Sequence, residues 1–415
     1  MNLTTPRAFR SRNFRLFFGG QSLSLLGTWM QKTAVSWVVY AQTHSKLMLG
    51  VSVFATLFPS ALFSLLGGVV SDRYSRYRVL LATQILSMAQ AALLALAVYL
   101  DQQDAVWAII GLSAVLGIIN AFDVPARQSL VYELIENKED VPNAVALNST
   151  MLNLSKLLGP AVAGFAIEHL GAAACFGLNA LSFVAVIGSL LAMQLPAFVA
   201  QTDPRPLLTE LAEGFRYVRH TPNIRFILLA AGLVALLVLP FATLMPVYAK
   251  DIFHGTATTF GILDGAIGLG GFGAALYLTS LAPSADLNRV VTANSFVLGA
   301  GLLLFAYSPF YWLALARLAG AAFGMMAQTT LNLTLLQTTV LPAMRGRAIG
   351  LYVLVYTAAL PLGSLVVGAA SERVGVRATV LAEGGLALLI GLLYLRHWRQ
   401  LQAAEPSPLP AAQAA

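Results

Sequence analysis

Cysteine is nearly missing from this chain of 415 residues, which contains only one, Cys175. A single thiol excludes a disulfide scaffold and a cysteine-based zinc site. Charge is scarce as well. Asp, Glu, Lys and Arg together make up 10% of the residues, against about 25% in an ordinary soluble domain. That excludes a soluble globule and a disordered chain. No lysine follows a glycine, so the GK[ST] phosphate loop of an ATP motor is missing. The five histidines make no HExxH zinc site, and no GxSxG nucleophile elbow occurs. The expectation is a protein that is not an enzyme, with no cofactor and no metal.

What the chain has is apolar length. Residues of the apolar class form 58% of it, enough for twelve membrane-crossing helices of about 20 residues each. The turns and charges between apolar runs delimit twelve spans, over 15–41, 47–70, 78–100, 105–127, 142–167, 173–195, 224–249, 257–281, 290–307, 310–336, 347–371 and 377–396. The first follows Arg7, Arg10 and Arg12 directly. It is too long for a signal-peptide core and is read as a retained helix. The expected fold class is all-α integral membrane, twelve transmembrane helices in two six-helix pseudo-symmetric halves. The halves cover 1–195 and 224–398. A cytoplasmic linker at 196–223 carries an amphipathic helix, with Leu207, Leu211, Phe215 and Val218 on one face. The tail at 399–415 is Ala/Pro-rich and expected to be disordered.

Placing both termini inside puts eighteen of the 25 Lys and Arg residues in inside loops and tails. Only Lys46, Lys250, Arg373 and Arg377 then lie outside, a strong positive-inside bias. The net charge of +7 is therefore explained by topology, and no nucleic-acid partner is expected. The halves also repeat. GPAVAGFAIEHLG at 159–171 aligns with GSLVVGAASERVG at 363–375, so that Gly159, Gly164, Glu168 and Gly171 match Gly363, Gly368, Glu372 and Gly375. With six spans each, the halves have the same orientation, a parallel repeat about the membrane normal.

The turn after the second span reads GVVSDRYSRYRVL, from Gly68 to Leu80. It resembles the loop signature of the major facilitator superfamily through Gly68, Asp72, Arg73 and Arg76, with Ser75 and Tyr77 departing from the pattern. Gly159, Pro160 and Gly164 are similar to that superfamily's antiporter motif, with Ser155 and Ala163 where it has glycines. GTWMQ at 27–31, NAFDVPARQ at 120–128, NAVALNS at 143–149 and RGRAIGLY at 345–352 resemble the branch that contains the enterobactin exporter and macrolide-efflux proteins. The resemblance runs from about residue 12 to residue 398. It implies alternating access and a small amphipathic substrate of drug or siderophore type. It also implies proton antiport and a bacterial cytoplasmic (inner) membrane location. The expected partners are the lipid bilayer, the substrate and protons, and the carrier is expected to be a monomer. An importer, a lipid mover or a membrane sensor are the alternatives.

The same resemblance implies a gating latch. Asp72 would meet the start of the eleventh span near Gly346, and Arg76 would join Asp123 and Arg127. Gly68 would let two helices approach closely, and Gly159-Pro160 would bend the fifth span.

Ionisable residues inside spans are costly and so are functional candidates. They are Lys32, Asp123, Lys156, Asp264, Arg317 and Glu383. Arg317 and Glu383 fall at equal depth on the tenth and twelfth spans and are expected to form a structural ion pair. Lys32, Lys156 and Asp264 remain, and Asp264 is the candidate proton carrier, answered by either lysine. The alternative for Asp264 is an ordinary wetted carboxylate. Trp29, Gln31, Trp37, Tyr248, Gln328 and Asn332 are the candidates for lining a substrate cavity. Pro240 and Pro246 are expected to break the seventh span.

Overall fold

The computed structural model describes residues 7–100, 105–194, 207–282 and 284–404. All regular structure among them is helical. Six long helices come first: α1 (Arg12–Thr43), α2 (Lys46–Arg73), α3 (Arg76–Leu100), α4 (Val106–Glu133), α5 (Val141–Leu170) and α6 (Ala172–Leu191). The short α7 (Leu207–His220) follows. Then come α8 (Pro222–Leu237), α9 (Ala257–Thr279), α10 (Leu287–Ala306), α11 (Tyr311–Thr339), α12 (Arg345–Val374) and α13 (Val376–Ala404).

Local chemistry sets many of the helix ends. Ser11 and Ser45 cap α1 and α2 by accepting from the Phe14 and Met48 N–H groups, which satisfies a donor with no intrahelical partner. Gly171 and Gly375 close α5 and α12 with φ of 85° and 88°, a conformation open to glycine. After α8 the chain continues as a 3-10 helix over Leu239–Leu244 and a π turn over Tyr248–Ile252. Pro240 and Pro246 lie in this stretch, so the seventh span is irregular where the prolines fall. The last helix runs to Ala404, past the expected start of the tail. Residues 405–415 and the first part of the linker, 195–206, lie outside the described residues.

Among the described residues, ten helical segments are long and apolar enough to cross a bilayer by length and composition. The segments α1 and α11 have the length, at 32 and 29 residues. They carry polar residues such as Gln21, Gln31, Lys32, Gln328 and Asn332. Including them, the arrangement is compatible with twelve spans. The outward surface carries Leu62, Leu66, Leu96, Phe165, Leu181 and Leu392 exposed, a coat that only lipid can cover. Trp107 and Trp312 stand exposed near helix starts, where interfacial aromatics anchor a protein in a bilayer.

Helices α1–α6 pack mainly on one another, through α2–α4, α1–α6, α3–α6, α1–α5 and α3–α4. Helices α8–α13 do the same through α10–α11, α10–α13, α9–α11 and α8–α12. Two large helix pairs cross between the groups, α2 with α12 and α5 with α9. The linker helix α7 packs on α12, where Glu213 pairs with Arg347 at 2.9 Å.

Candidate functional site

Small residues decide where the two groups meet. A methyl group added at Gly50 of α2 would fall 2.4 Å from the Ser364 carbonyl oxygen of α12. One added at Gly261 of α9 would fall 2.3 Å from the Pro160 carbonyl oxygen of α5. The backbones are therefore in direct contact, as glycine permits in membrane helices. Both contacts lie toward the end of the molecule that holds Thr43, Leu170 and Val374, here the closed end. There the Tyr40 hydroxyl donates to Asp251 across the groups, and Lys250 Nζ donates to the Ala41 carbonyl at 3.4 Å. Trp37 stacks on Phe260 with centroids 6.1 Å apart.

Among the described residues the opposite end is open. None of them lies within 4 Å of a methyl group placed at Gly68 or Gly346, and the Asp72 side chain is 66% exposed. The latch expected between Asp72 and the start of α12 is not assembled in this state. Arg76 does not join Asp123 and Arg127. It pairs with Glu133 of α4 and, at 3.9 Å, with Asp72. Asp123 pairs with Arg127 at 2.9 Å and accepts from Thr83 and Gln84 of α3. The close approach expected at Gly68 occurs one residue earlier, where a methyl at Gly67 would fall 1.8 Å from the Ala121 carbonyl oxygen.

Between the two ends, three of the expected residues come together. Lys32 of α1 and Lys156 of α5 hold their ammonium groups 4.5 and 5.4 Å from the centroid of the Trp29 ring. Asp264 of α9 faces them from the other group of helices and accepts from the Thr33 hydroxyl at 3.2 Å. Its charge acts on both lysines, without a contact ion pair among the described residues. Gly159 makes room for Trp29, since a methyl there would meet the Trp29 Cβ at 2.4 Å. Helix α5 runs unbroken through Pro160. Gly159, Pro160 and Gly164 thus act here through close packing, against Trp29, Gly261 and Ala257 respectively.

The remaining expectations need correction. Arg317 and Glu383 do not pair. Arg317 turns to α10 and its end, donating to the Leu304 carbonyl at 2.9 Å and the Ser308 hydroxyl at 3.0 Å. Both Glu383 carboxylate oxygens are buried, with no hydrogen-bond partner among the described residues. Equal depth was satisfied, but the side chains leave their helices in different directions.

Four of the six cavity candidates are turned into helix packing. Gln31 donates to Gln90 of α3 at 3.0 Å and accepts from Asn179 of α6 at 2.8 Å. Tyr248 is buried and donates to the Ala306 carbonyl at 3.3 Å. Asn332 accepts from the Tyr394 hydroxyl at 2.9 Å. Gln328 is buried. Of the other two, Trp29 lies in the central cluster and Trp37 in the closed end.

Tyr40, Asp251, Glu168 and Glu372 are contacts that sequence reasoning did not place. The last two were visible as a matched pair in the internal repeat, which was the available signal.

The transmembrane secretion effector family model matches residues 4–412. The chain is similar to the staphyloferrin A transporter of Staphylococcus aureus, with 25% identity across 92% of this chain and 95% of that one. It is similar to the enterobactin exporter EntS of Escherichia coli K12, with 31% identity across 96% of this chain and 95% of the relative. Among solved structures it is similar to an inward-facing, unoccupied bacterial homolog of the human lysosomal transporter Spinster. That likeness has a TM-score of 0.72 at 13% identity, covering 98% of this chain and 100% of the other, and it bears on the fold alone.

Proposed function

The chain belongs to the transmembrane secretion effector family of the major facilitator superfamily, and on that premise we propose that it exports small amphipathic molecules by alternating access in exchange for protons. It is a multi-pass membrane transporter and not an enzyme. In this reading the halves at 1–195 and 224–398 rock about the central cluster. The positive-inside bias puts the open end and both termini in the cytoplasm of a bacterial cell, so the state described is inward-facing. In this reading the carrier works as a monomer.

The observation that carries the reading is the convergence of Lys32, Lys156, Trp29 and Asp264 between helices of both halves. Two ammonium groups over one ring repel each other, and the Asp264 carboxylate offsets that repulsion. The substrate docks against this set, its apolar body on Trp29 and its polar groups on the lysines. A proton on Asp264 removes the offset and lets the lysines part, which disperses the docking site. Substrate and proton are then alternatives, as antiport requires. The loop residues Gly68, Asp72, Arg73, Arg76, Asp123, Arg127 and Gly346 form the inner latch in the opposite, outward-open state.

Relatives named for staphyloferrin A transport and enterobactin export support a siderophore-type substrate, and a relative named macrolide efflux protein A supports a drug-type one. The test is accumulation of fluorescent and antibiotic amphipaths in efflux-deficient cells expressing the chain, with and without an uncoupler. Lower accumulation that the uncoupler restores is expected. Higher accumulation on expression would point to import and contradict the reading.

A further inference from the structure

Glu168 and Glu372 occupy matched places in the two halves. Each lies four residues after a glycine that faces the other half, and three before the glycine that ends its helix. Each carboxylate crosses to the other half and reaches the start of a helix there. Glu372, on α12, accepts from the Ser45 hydroxyl at 2.6 Å and from the Lys46 and Leu47 N–H groups at 2.8 and 3.3 Å. Lys46 Nζ lies 3.7 Å from its second oxygen. Glu168, on α5, accepts from the Thr256 hydroxyl at 2.6 Å, and the Thr258 backbone N–H faces the same carboxylate. Ser45 and Thr256 are the N-cap residues of α2 and α9.

The packing beneath the carboxylates is matched too. A methyl at Gly164 would fall 2.6 Å from the Ala257 carbonyl oxygen, and one at Gly368 would fall 2.7 Å from the Lys46 carbonyl oxygen. Glycine on both sides leaves these backbones in contact with little side-chain interlocking. The carboxylates are then the charged attachments along these two seams, beside the Tyr40–Asp251 and Lys250–Ala41 bonds at the same end. Each carboxylate meets the positive end of a helix through charge-assisted hydrogen bonds.

We propose that Glu168 and Glu372 are paired gate residues that hold this end closed, and that both must release the opposing helix for the carrier to open there. The two seams α2–α12 and α5–α9 are the main helix pairs joining the halves, so opening at this end parts both. A single carboxylate left in place would still tether one seam. The proposal rests on alternating access, as read above.

The test uses the purified full-length chain with Cys175 replaced by Ala and one reporter cysteine in each preparation. Phe260→Cys reports the closed end, where Phe260 is buried against Trp37 of the other half. Gly346→Cys reports the open end, where there is room for a side chain. Labelling by a maleimide is slow at 260 and fast at 346 in the parent. Glu168→Gln and Glu372→Gln should each speed labelling at 260 by about tenfold, the size of one charge-assisted hydrogen bond at an accessible site. Together they should speed it by about a hundredfold, since the seams are separate. Labelling at 346 should fall in the double variant.

Slow labelling at 260 in the double variant overturns the proposal. A rise at 260 with no fall at 346 also overturns it, because that marks loosened packing and not a shift of states. The labels read conformation and not flux. A failure here therefore leaves the export assay intact, and a failed export assay leaves this result standing.

Discussion

Lys32 and Lys156 come from different helices, yet their ammonium groups lie over the same indole ring, that of Trp29, at 4.5 and 5.4 Å. Two like charges are held together in a chain with few charges. Asp264 lies close by, bonded to Thr33. On the proposed exchange mechanism, function is most sensitive to changes in this set.

Removing either cation should weaken export without unfolding the protein. Lys32→Ala and Lys156→Ala are expected to reduce uncoupler-sensitive export by about tenfold, equivalent to about 1.4 kcal/mol and within the range of a desolvated cation–π contact. Trp29→Phe should cost less than Trp29→Ala, because it keeps a ring face. Accumulation assays at matched membrane levels of each variant check this.

The glycine seams should respond in pairs. Gly261→Ala and Gly50→Ala each place a methyl against a backbone carbonyl, which cannot yield as a side-chain tip does. Each should destabilise the closed end by roughly 1–3 kcal/mol, the usual cost of overpacking. Maleimide labelling at Phe260→Cys should rise to a similar extent in both. A large effect from one and none from the other would contradict the matched geometry.

Arg317 and Glu383 should prove independent. Glu383 has no cation against it and Arg317 has other acceptors. In a double-mutant cycle of Arg317→Ala and Glu383→Gln, the two effects on thermal stability should add within about 0.5 kcal/mol. Glu383→Gln alone should be tolerated. A coupling of several kcal/mol would restore the ion pair expected from depth.

The open-end latch predicts a loss of turnover with the inward-facing state preserved. Asp72 is exposed here and touches only Arg76 among the named ion pairs, so Asp72→Asn should leave labelling at Gly346→Cys fast. Export should fall several-fold, because the outward-open state loses its latch. Export that stays at the wild-type level would remove Asp72 from the latch.

The fold was legible because lipid imposes apolar length, and the spans read from the sequence mostly match the helices to within a few residues. Polar α1 and α11 were found by length and position between turns. Position along a helix follows from counting at 1.5 Å per residue, which set Arg317 and Glu383 at equal depth. Lys32, Lys156 and Asp264 were grouped by elimination and by the helix arrangement that the family resemblance implies, and the structure holds both lysines over Trp29 with Asp264 bonded to Thr33 beside them. The direction of a side chain around its helix depends on neighbours that a single sequence does not reveal. Gln31 and Asn332 have suitable depth for a cavity, yet they bond within their own groups of helices. Arg317 failed for the same reason. Glu168 and Glu372 were visible as a repeat, but their role needed the knowledge that α5 meets α9 and α12 meets α2.

The most direct test of the central claim is proton movement coupled to substrate movement. Purified chain in proteoliposomes would be given an amphipath identified by the accumulation panel, with a pH-sensitive dye on the opposite side of the membrane. The wild type should move protons against the substrate flux, and Asp264→Asn, uncharged like the protonated carboxyl, should bind the amphipath weakly and move no protons. Proton flux of the same size in Asp264→Asn, or none in a wild type that transports the amphipath, would contradict the account.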